Sequence, residues 1–116
     1  MVEDNRPTLS VVVPVLDEQD SLRPLYNQIT HTLAGRYDYE IVFVDDGSTD
    51  RSFEILRDIQ ASDLRVCVIR FSRNFGQTAA LSAGFAYARG QIVVALDADL
   101  QNDPSDIPLL IDKLQE

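Results

Sequence analysis

Residues 92–101 read Ile92-Val93-Val94-Ala95-Leu96-Asp97-Ala98-Asp99-Leu100-Gln101. An unbroken apolar run, β-branched at Ile92, Val93 and Val94, leads into two carboxylates with one residue between them. Short continuous runs of this kind suit strands covered on both faces, as in a parallel sheet. Asp is also common in turns and helix caps, so Asp97 and Asp99 read equally as turn residues or as ligands. As ligands, their hard oxygens suit Mg²⁺ or Mn²⁺, and an octahedral ion keeps positions free for the oxygens of a diphosphate. On that second reading the chain is an enzyme that grips a nucleotide diphosphate through a metal.

Three further runs resemble the first: residues 9–15, 40–44 and 66–71. Helical spacing fills the gaps. Leu22, Leu25, Ile29 and Leu33 recur at helical intervals, Pro24 is acceptable only near that helix's start, and Gly35 reads as its C-cap. Phe53, Leu56 and Ile59 mark a second helix, with Ser48 or Thr49 as the expected N-cap. Residues 78–89 are Ala-rich and close at Gly90, while Ala79, Ala80, Ala83 and Gly84 keep this helix thin enough to pack close to a sheet. Asp103-Pro104 reads as an N-cap followed by proline at the first helical position, opening a last helix through Leu109, Leu110 and Leu114. The order β-α-β-α-β-α-β-α defines an α/β fold with right-handed crossovers. Residues 1–8 are expected to be a flexible lead-in to one domain spanning 9–116.

The bulk numbers narrow the partners. A chain of 116 residues with 45% apolar and 25% charged content has the composition of an ordinary globular domain. A formal net charge of −9 repels nucleic-acid phosphates and disfavours adsorption on an anionic bilayer. Cys67 is the only cysteine, so no internal disulfide forms, and its apolar setting marks it as a small core residue. His31 is the only histidine and falls on a helix far from the strand ends, which argues against a His triad or a zinc site. No apolar signal region opens the chain and no run is long enough to span a bilayer, so a cytosolic location is expected.

In open α/β sheets, ligands bind beyond the carboxyl ends of the strands. The unusual polar residues of this chain follow its strands. The segments are Pro14-Val15-Leu16-Asp17-Glu18, Asp45-Asp46-Gly47-Ser48, residues 72–77 (Ser-Arg-Asn-Phe-Gly-Gln) and Asp97-Ala98-Asp99. If the strands are parallel, all four share one rim. Asp17 and Glu18 also fit the start of a helix, where carboxylates suit the macrodipole. The adjacent carboxylates of Asp45 and Asp46 need a donor or cation nearby, and a base imide N–H is such a donor. Arg73 has the planar fork that matches phosphate oxygens, or it pairs with a neighbouring acid. Gly76 permits a tight turn ahead of the Ala-rich helix.

The segments LSVVVPVLDEQDSL, EIVFVDDGSTDRS, RFSRNFGQTAALSAGFAYARG and IVVALDADLQNDP resemble the N-terminal half of family 2 glycosyltransferases, in the same order and over nearly the whole chain. RNFGQTAALSAG followed by DADLQ is similar to the polyprenyl-phosphate branch, which includes dolichol-phosphate mannosyltransferase-like enzymes. The resemblance implies a GT-A fold: a doubly wound, mainly parallel, Rossmann-like sheet in the order 3-2-1-4. It implies metal-assisted, inverting transfer of a sugar from a UDP- or GDP-sugar to a polyprenyl phosphate. It places Pro14, Leu16, Asp17, Glu18, Asp45, Asp46 and Asp97 around the nucleotide. It makes Asp97, Asp99 and Gln101 ligands of Mg²⁺ or Mn²⁺, and sets Arg73 beside the phosphates or the acceptor, with Asp97 and Asp99 as catalytic residues. Asp17 departs from the family pattern, which has Asn there.

Family members continue with acceptor-binding segments and sometimes membrane helices. The chain is therefore expected to be the donor-binding half, with weak or no transfer activity alone, any membrane contact lying in those further segments at the cytoplasmic face. The fourth strand would leave an unpaired edge, which invites homo-oligomer formation. Three rivals make different demands. A sugar nucleotidyltransferase wants a basic Gly-rich loop after the first strand, where this chain is acidic. A phospho-receiver wants a lysine on a late strand, and Lys113, the only lysine, falls on a helix. A non-catalytic nucleotide-binding module needs only the pocket.

Overall fold

The computed structural model describes residues 6–99 and 103–114. Its elements are β1 (Leu9–Val15), α1 (Leu22–Leu33), β2 (Tyr39–Asp45), α2 (Ser52–Ser62), β3 (Val66–Arg70), α3 (Gln77–Tyr87), β4 (Ile92–Ala95), a single 3₁₀ turn (Pro104–Asp106) and α4 (Ile107–Leu114). All strand pairings are parallel and the order is β3-β2-β1-β4, as the resemblance implied. Strand alternation splits the core. Val11, Val13 and Val15 of β1 with Ile41 and Phe43 of β2 pack against α1, α2 and α4. Val12, Val42 and Val44 face α3 on the opposite side.

Helix α3 lies unusually close to the sheet. A Cβ on Gly84 would come 2.3 Å from Val12 Cγ1, so only glycine fits this crossing. At the foot of the sheet Glu40 is buried, accepting from Ser10 Oγ at 2.6 Å and from the Arg89 N–H at 2.7 Å. Ser10 Oγ accepts in turn from the Gly90 N–H at 2.8 Å. These bonds anchor the end of α3 to β1 and β2 and satisfy a carboxylate that burial would otherwise penalise heavily. Pro14 sits in a central strand without disturbing it. The β1–β4 ladder ends at Val12↔Ala95 with one further bond from the Leu96 N–H to Val12 O, so Pro14, which has no N–H to carry it on, stands just past its last bond.

Several local expectations need correction. Pro7 is buried and the Thr8 N–H donates to Asp38 O at 2.9 Å, so these two residues are tied to the sheet and any lead-in is shorter than 1–8. Helix α2 starts at Ser52 with Arg51 in the cap position, not Ser48 or Thr49; Asp50 Oδ1 accepts from the Ser52 N–H at 2.8 Å instead. The C-cap of α1 is Ala34, and Gly35 follows it at φ 79°. Asp103 accepts from the Ser105 N–H and Pro104 opens the 3₁₀ turn, as read. The last helix runs through Leu109, Leu110 and Leu114 as read, with these three exposed and Ile107, Pro108 and Ile111 buried. Strand β4 is covered on one face only: Val94 is buried, while Val93 and Ala95 on the α3 side are exposed.

Candidate functional site

The chain turns back at β1. From β1 it builds outward through β2 to β3, then crosses to the other side of β1 for β4, with α3 changing faces on the way. The crevice beyond the carboxyl ends of β1 and β4 is thus a topological switch point. A pocket of about 450 Å³ opens there, of ordinary size for a small ligand. Its wall takes Pro14, Leu16 and Glu18 from the end of β1, Asp46 from β2, Asn74 and Gln77 from the segment after β3, and Asp97 and Asp99 from the end of β4.

Six of the expected site residues therefore meet: Pro14, Leu16, Glu18, Asp46, Asp97 and Asp99. Asp17, Asp45 and Arg73 are not on this wall. Gln101 lies outside the described residues. Asn74 and Gln77 had been placed on the rim without a role. The signal for Gln77 is its place in the polar segment 72–77 that follows β3; it opens α3, and Gln77 Nε2 donates to Asp97 Oδ1 at 3.4 Å, a long bond that steadies the acid.

Asp17 works from behind the pocket. It is the only non-glycine residue with positive φ among those described, at 52°, a region open to Asp and Asn at modest cost. Its Oδ1 accepts the Thr49 N–H at 2.7 Å and the Asp50 N–H at 3.3 Å. In return the Asp17 N–H donates to Ser48 Oγ and the Glu18 N–H to Ser52 Oγ, each at 2.9 Å. Gln19 adds two bonds to the same loop, through Asp50 and Arg51. The β1–α1 and β2–α2 loops are thereby clasped, and Leu16 and Glu18 are turned to face the pocket.

Asp46 is almost wholly buried and already engaged. Its Oδ1 accepts from the Phe75 N–H at 2.7 Å, and its Oδ2 accepts from the Gly76 N–H and Asn74 Nδ2, each at 3.1 Å. The carboxylate organises the 74–76 turn while presenting an edge to the pocket. Asp45 points away: Oδ1 accepts from the Ser48 N–H at 3.1 Å, and Oδ2 is buried with no hydrogen-bond partner among the described residues. Gly47, at φ 78°, brings the two loops into backbone contact, since a Cβ there would lie 2.4 Å from Arg73 C and Asn74 N. Arg73 then falls in a neighbouring groove, its guanidinium 4.6 Å from the Phe75 ring centroid.

The pocket is electrostatically loaded. Burial, followed by the charge of Asp99, pushes the Glu18 carboxyl above its usual range, with Asp50 and Asp17 adding to the repulsion. Such mutual repulsion is what a bound cation relieves. Asp97 and Asp99 supply two hard carboxylate donors on one wall, and no set of three His, Cys, Asp or Glu forms a cage among the described residues. That donor set fits Mg²⁺ or Mn²⁺, which commonly take one or two carboxylates and complete their shell with water and substrate phosphate.

A doubly wound parallel sheet with an acidic pocket at its switch point defines an α/β domain of the GT-A kind. A mannosyltransferase from Pyrobaculum calidifontis in complex with GDP-Man and Mn²⁺ superposes with TM-score 0.76 at 29% identity, over 87% of this chain and 30% of that one. Glucosyl-3-phosphoglycerate synthase from Mycobacterium tuberculosis, in complex with Mn²⁺, UDP and glucosyl-3-phosphoglycerate, gives 0.73 at 30% identity, over 93% and 39%. The chain belongs to glycosyl transferase family 2, whose model matches residues 10–116. It is 46% identical over 107 residues to an undecaprenyl-phosphate 4-deoxy-4-formamido-L-arabinose transferase of Pseudomonas fluorescens, covering 90% of this chain and 31% of the relative. It is 39% identical over 109 residues to a dodecaprenyl-phosphate galacturonate synthase of Rhizobium johnstonii, covering 92% and 32%. The chain thus spans about a third of the curated relatives it matches.

Proposed function

We propose that this chain is the donor-binding part of an inverting glycosyltransferase that moves a sugar from a UDP- or GDP-sugar to a polyprenyl phosphate. The observation that carries the reading is the convergence of Asp46, Asp97 and Asp99 on one pocket at the switch point. The chemistry named for the relatives and the nucleotides bound by the structural neighbours support it.

Each wall residue then has a task. Pro14 and Leu16 offer an apolar surface to the base, and Asp46 accepts from its imide N–H while keeping the 74–76 turn in place. Asp97 and Asp99, with Gln101, would hold Mg²⁺ or Mn²⁺, and Gln77 orients Asp97. When bound, the ion neutralises charge that builds on the departing diphosphate. A polyprenyl phosphate is already an anion, so attack on the anomeric carbon needs little help from a base. Asp17 and Asp45 act as supports for the loops and not as ligands, and Arg73 is left out of the donor site. With such an acceptor the protein would work at the cytoplasmic face of a membrane, although no described helix is long and apolar enough to cross one. The open side of β4 makes self-association part of this reading.

Calorimetric titration of UDP and GDP, with Mn²⁺ and with chelator, tests it. Metal-dependent binding that weakens about tenfold or more in Asp99→Ala is the expected result. Equal affinity with and without metal, or an unaffected variant, would refute the metal-bridged diphosphate.

A further inference from the structure

We infer that the groove beside the pocket, between the β2–α2 loop and the segment after β3, is a second binding site, selective for a phosphoryl anion. This groove, with a volume of about 710 Å³, carries Arg70, Arg73 and the hydroxyls of Ser48, Thr49 and Ser72, and shares only Asn74 with the acidic pocket.

In a chain of net charge −9, arginines are expected to find carboxylates. Arg51 and Arg89 do so, with Glu54 and Glu40. Among the described residues, Arg36, Arg65, Arg70 and Arg73 show no ion pair with a carboxylate and lie over aromatic rings instead; of these four, Arg70 and Arg73 line one groove together. The Arg70 guanidinium lies 4.0 Å from the Phe53 ring centroid and that of Arg73 lies 4.6 Å from Phe75. Stacking occupies a face of the guanidinium and leaves its in-plane N–H donors free, the edge that matches phosphate oxygens.

The brace is itself anchored. Phe75 packs edge-on against Phe71, with centroids 5.6 Å apart, and its N–H is held by Asp46. Gly47 presses the β2–α2 loop against the Arg73–Asn74 backbone, so the two sides of the groove are fixed relative to each other. Two cations with no carboxylate partner among the described residues, braced on rings and flanked by the hydroxyls of Ser48 and Ser72, are prepared for an anion before it arrives, which lowers the ordering cost of binding. The ligand is a phosphate monoester or diester, carried either by a soluble molecule or by a lipid headgroup. The site needs no metal, and so stands or falls apart from the function proposed above.

The test titrates inorganic phosphate, with chelator present, into isotope-labelled protein followed by NMR. Saturable shifts are expected at the amides of Ser48, Thr49, Ser72 and Arg73 and at the side-chain Nε–H of Arg70 and Arg73. Arg70→Gln/Arg73→Gln should weaken binding by about tenfold or more, the loss expected for charge-assisted hydrogen bonds, with amide shifts elsewhere unchanged. Both side chains are exposed, so the fold should survive. Non-saturating shifts, shifts centred on Gln77 and Asp97, or undiminished affinity in the double variant would overturn the proposal. Vesicles of phosphatidylglycerol in phosphatidylcholine identify the source. Co-sedimentation lost in the double variant assigns a lipid headgroup, and phosphate binding without co-sedimentation assigns a soluble phosphoester.

Discussion

Asp17 holds a backbone angle that most side chains avoid, and its carboxylate earns that position by capping two N–H groups of a loop far away in sequence. Only Oδ1 is used, so an amide oxygen does equally well, and Asn tolerates the same φ. Asp17→Asn should change stability by less than about 0.5 kcal/mol, whereas Asp17→Ala should lose about 1–2 kcal/mol through the missing cap and the disfavoured φ. Urea unfolding of both variants checks this, and equal losses would show that charge, not geometry, is what matters. Glu18 yields a second prediction. Its carboxyl is raised, first by burial and then by Asp99, so it holds its proton more tightly folded than unfolded. Its contribution to stability is full below the ordinary value of 4.5 and is lost as pH rises through the raised value. Glu18→Gln should therefore be the more stable protein at about pH 7, with the difference closing near about pH 4. Thermal unfolding across that range measures it, and a difference independent of pH would sink the idea.

At the scale of the element, α3 shows how packing overrides propensity. Gly84→Ala on a free helix would gain about 1 kcal/mol. Here the new methyl meets Val12 at 2.3 Å, inside a sheet that is itself packed on its far side. A net loss of about 1–3 kcal/mol is expected, read as a lower urea midpoint; a gain would mean that α3 can lift from the sheet freely. The Ala-rich composition of α3 had signalled this closeness, and the four β-branched runs had signalled the strands, because both depend on residues near in sequence. The start of α2 was not legible for the opposite reason. Ser48 and Ser52 carry the right side chains for a local cap, but their hydroxyls accept from Asp17 and Glu18, 31 and 34 residues away. The same holds at the site. Acids at strand ends could be read as a common rim, but Asp46 taking three donors from the 74–76 turn, and Arg73 turning out to a separate groove, follow from loop contacts that no spacing encodes.

Across the whole molecule, coverage is uneven. β1 and β2 are shielded on both faces, while β4 is an edge whose α3 side shows Val93, and Leu109 and Leu110 of α4 line a groove with Ala95 and Leu96 at the end of that strand. An apolar run beside unpaired strand groups favours pairing with a second copy. Sedimentation velocity should show dimers or larger species growing with concentration, and Val93→Lys should return the protein to monomer. A monomer at every concentration would remove self-association from the reading. The sheet order has one more consequence, for synthesis. Of these four strands, the one translated before the others ends up in the middle, with β2 on one side and β4 on the other. Once the hairpin-free β1–β2 pair has formed, the second flank of β1 must wait for Ile92 and its neighbours to be translated. Until then the nascent chain displays a bare apolar edge, and this interval is when it most needs a chaperone.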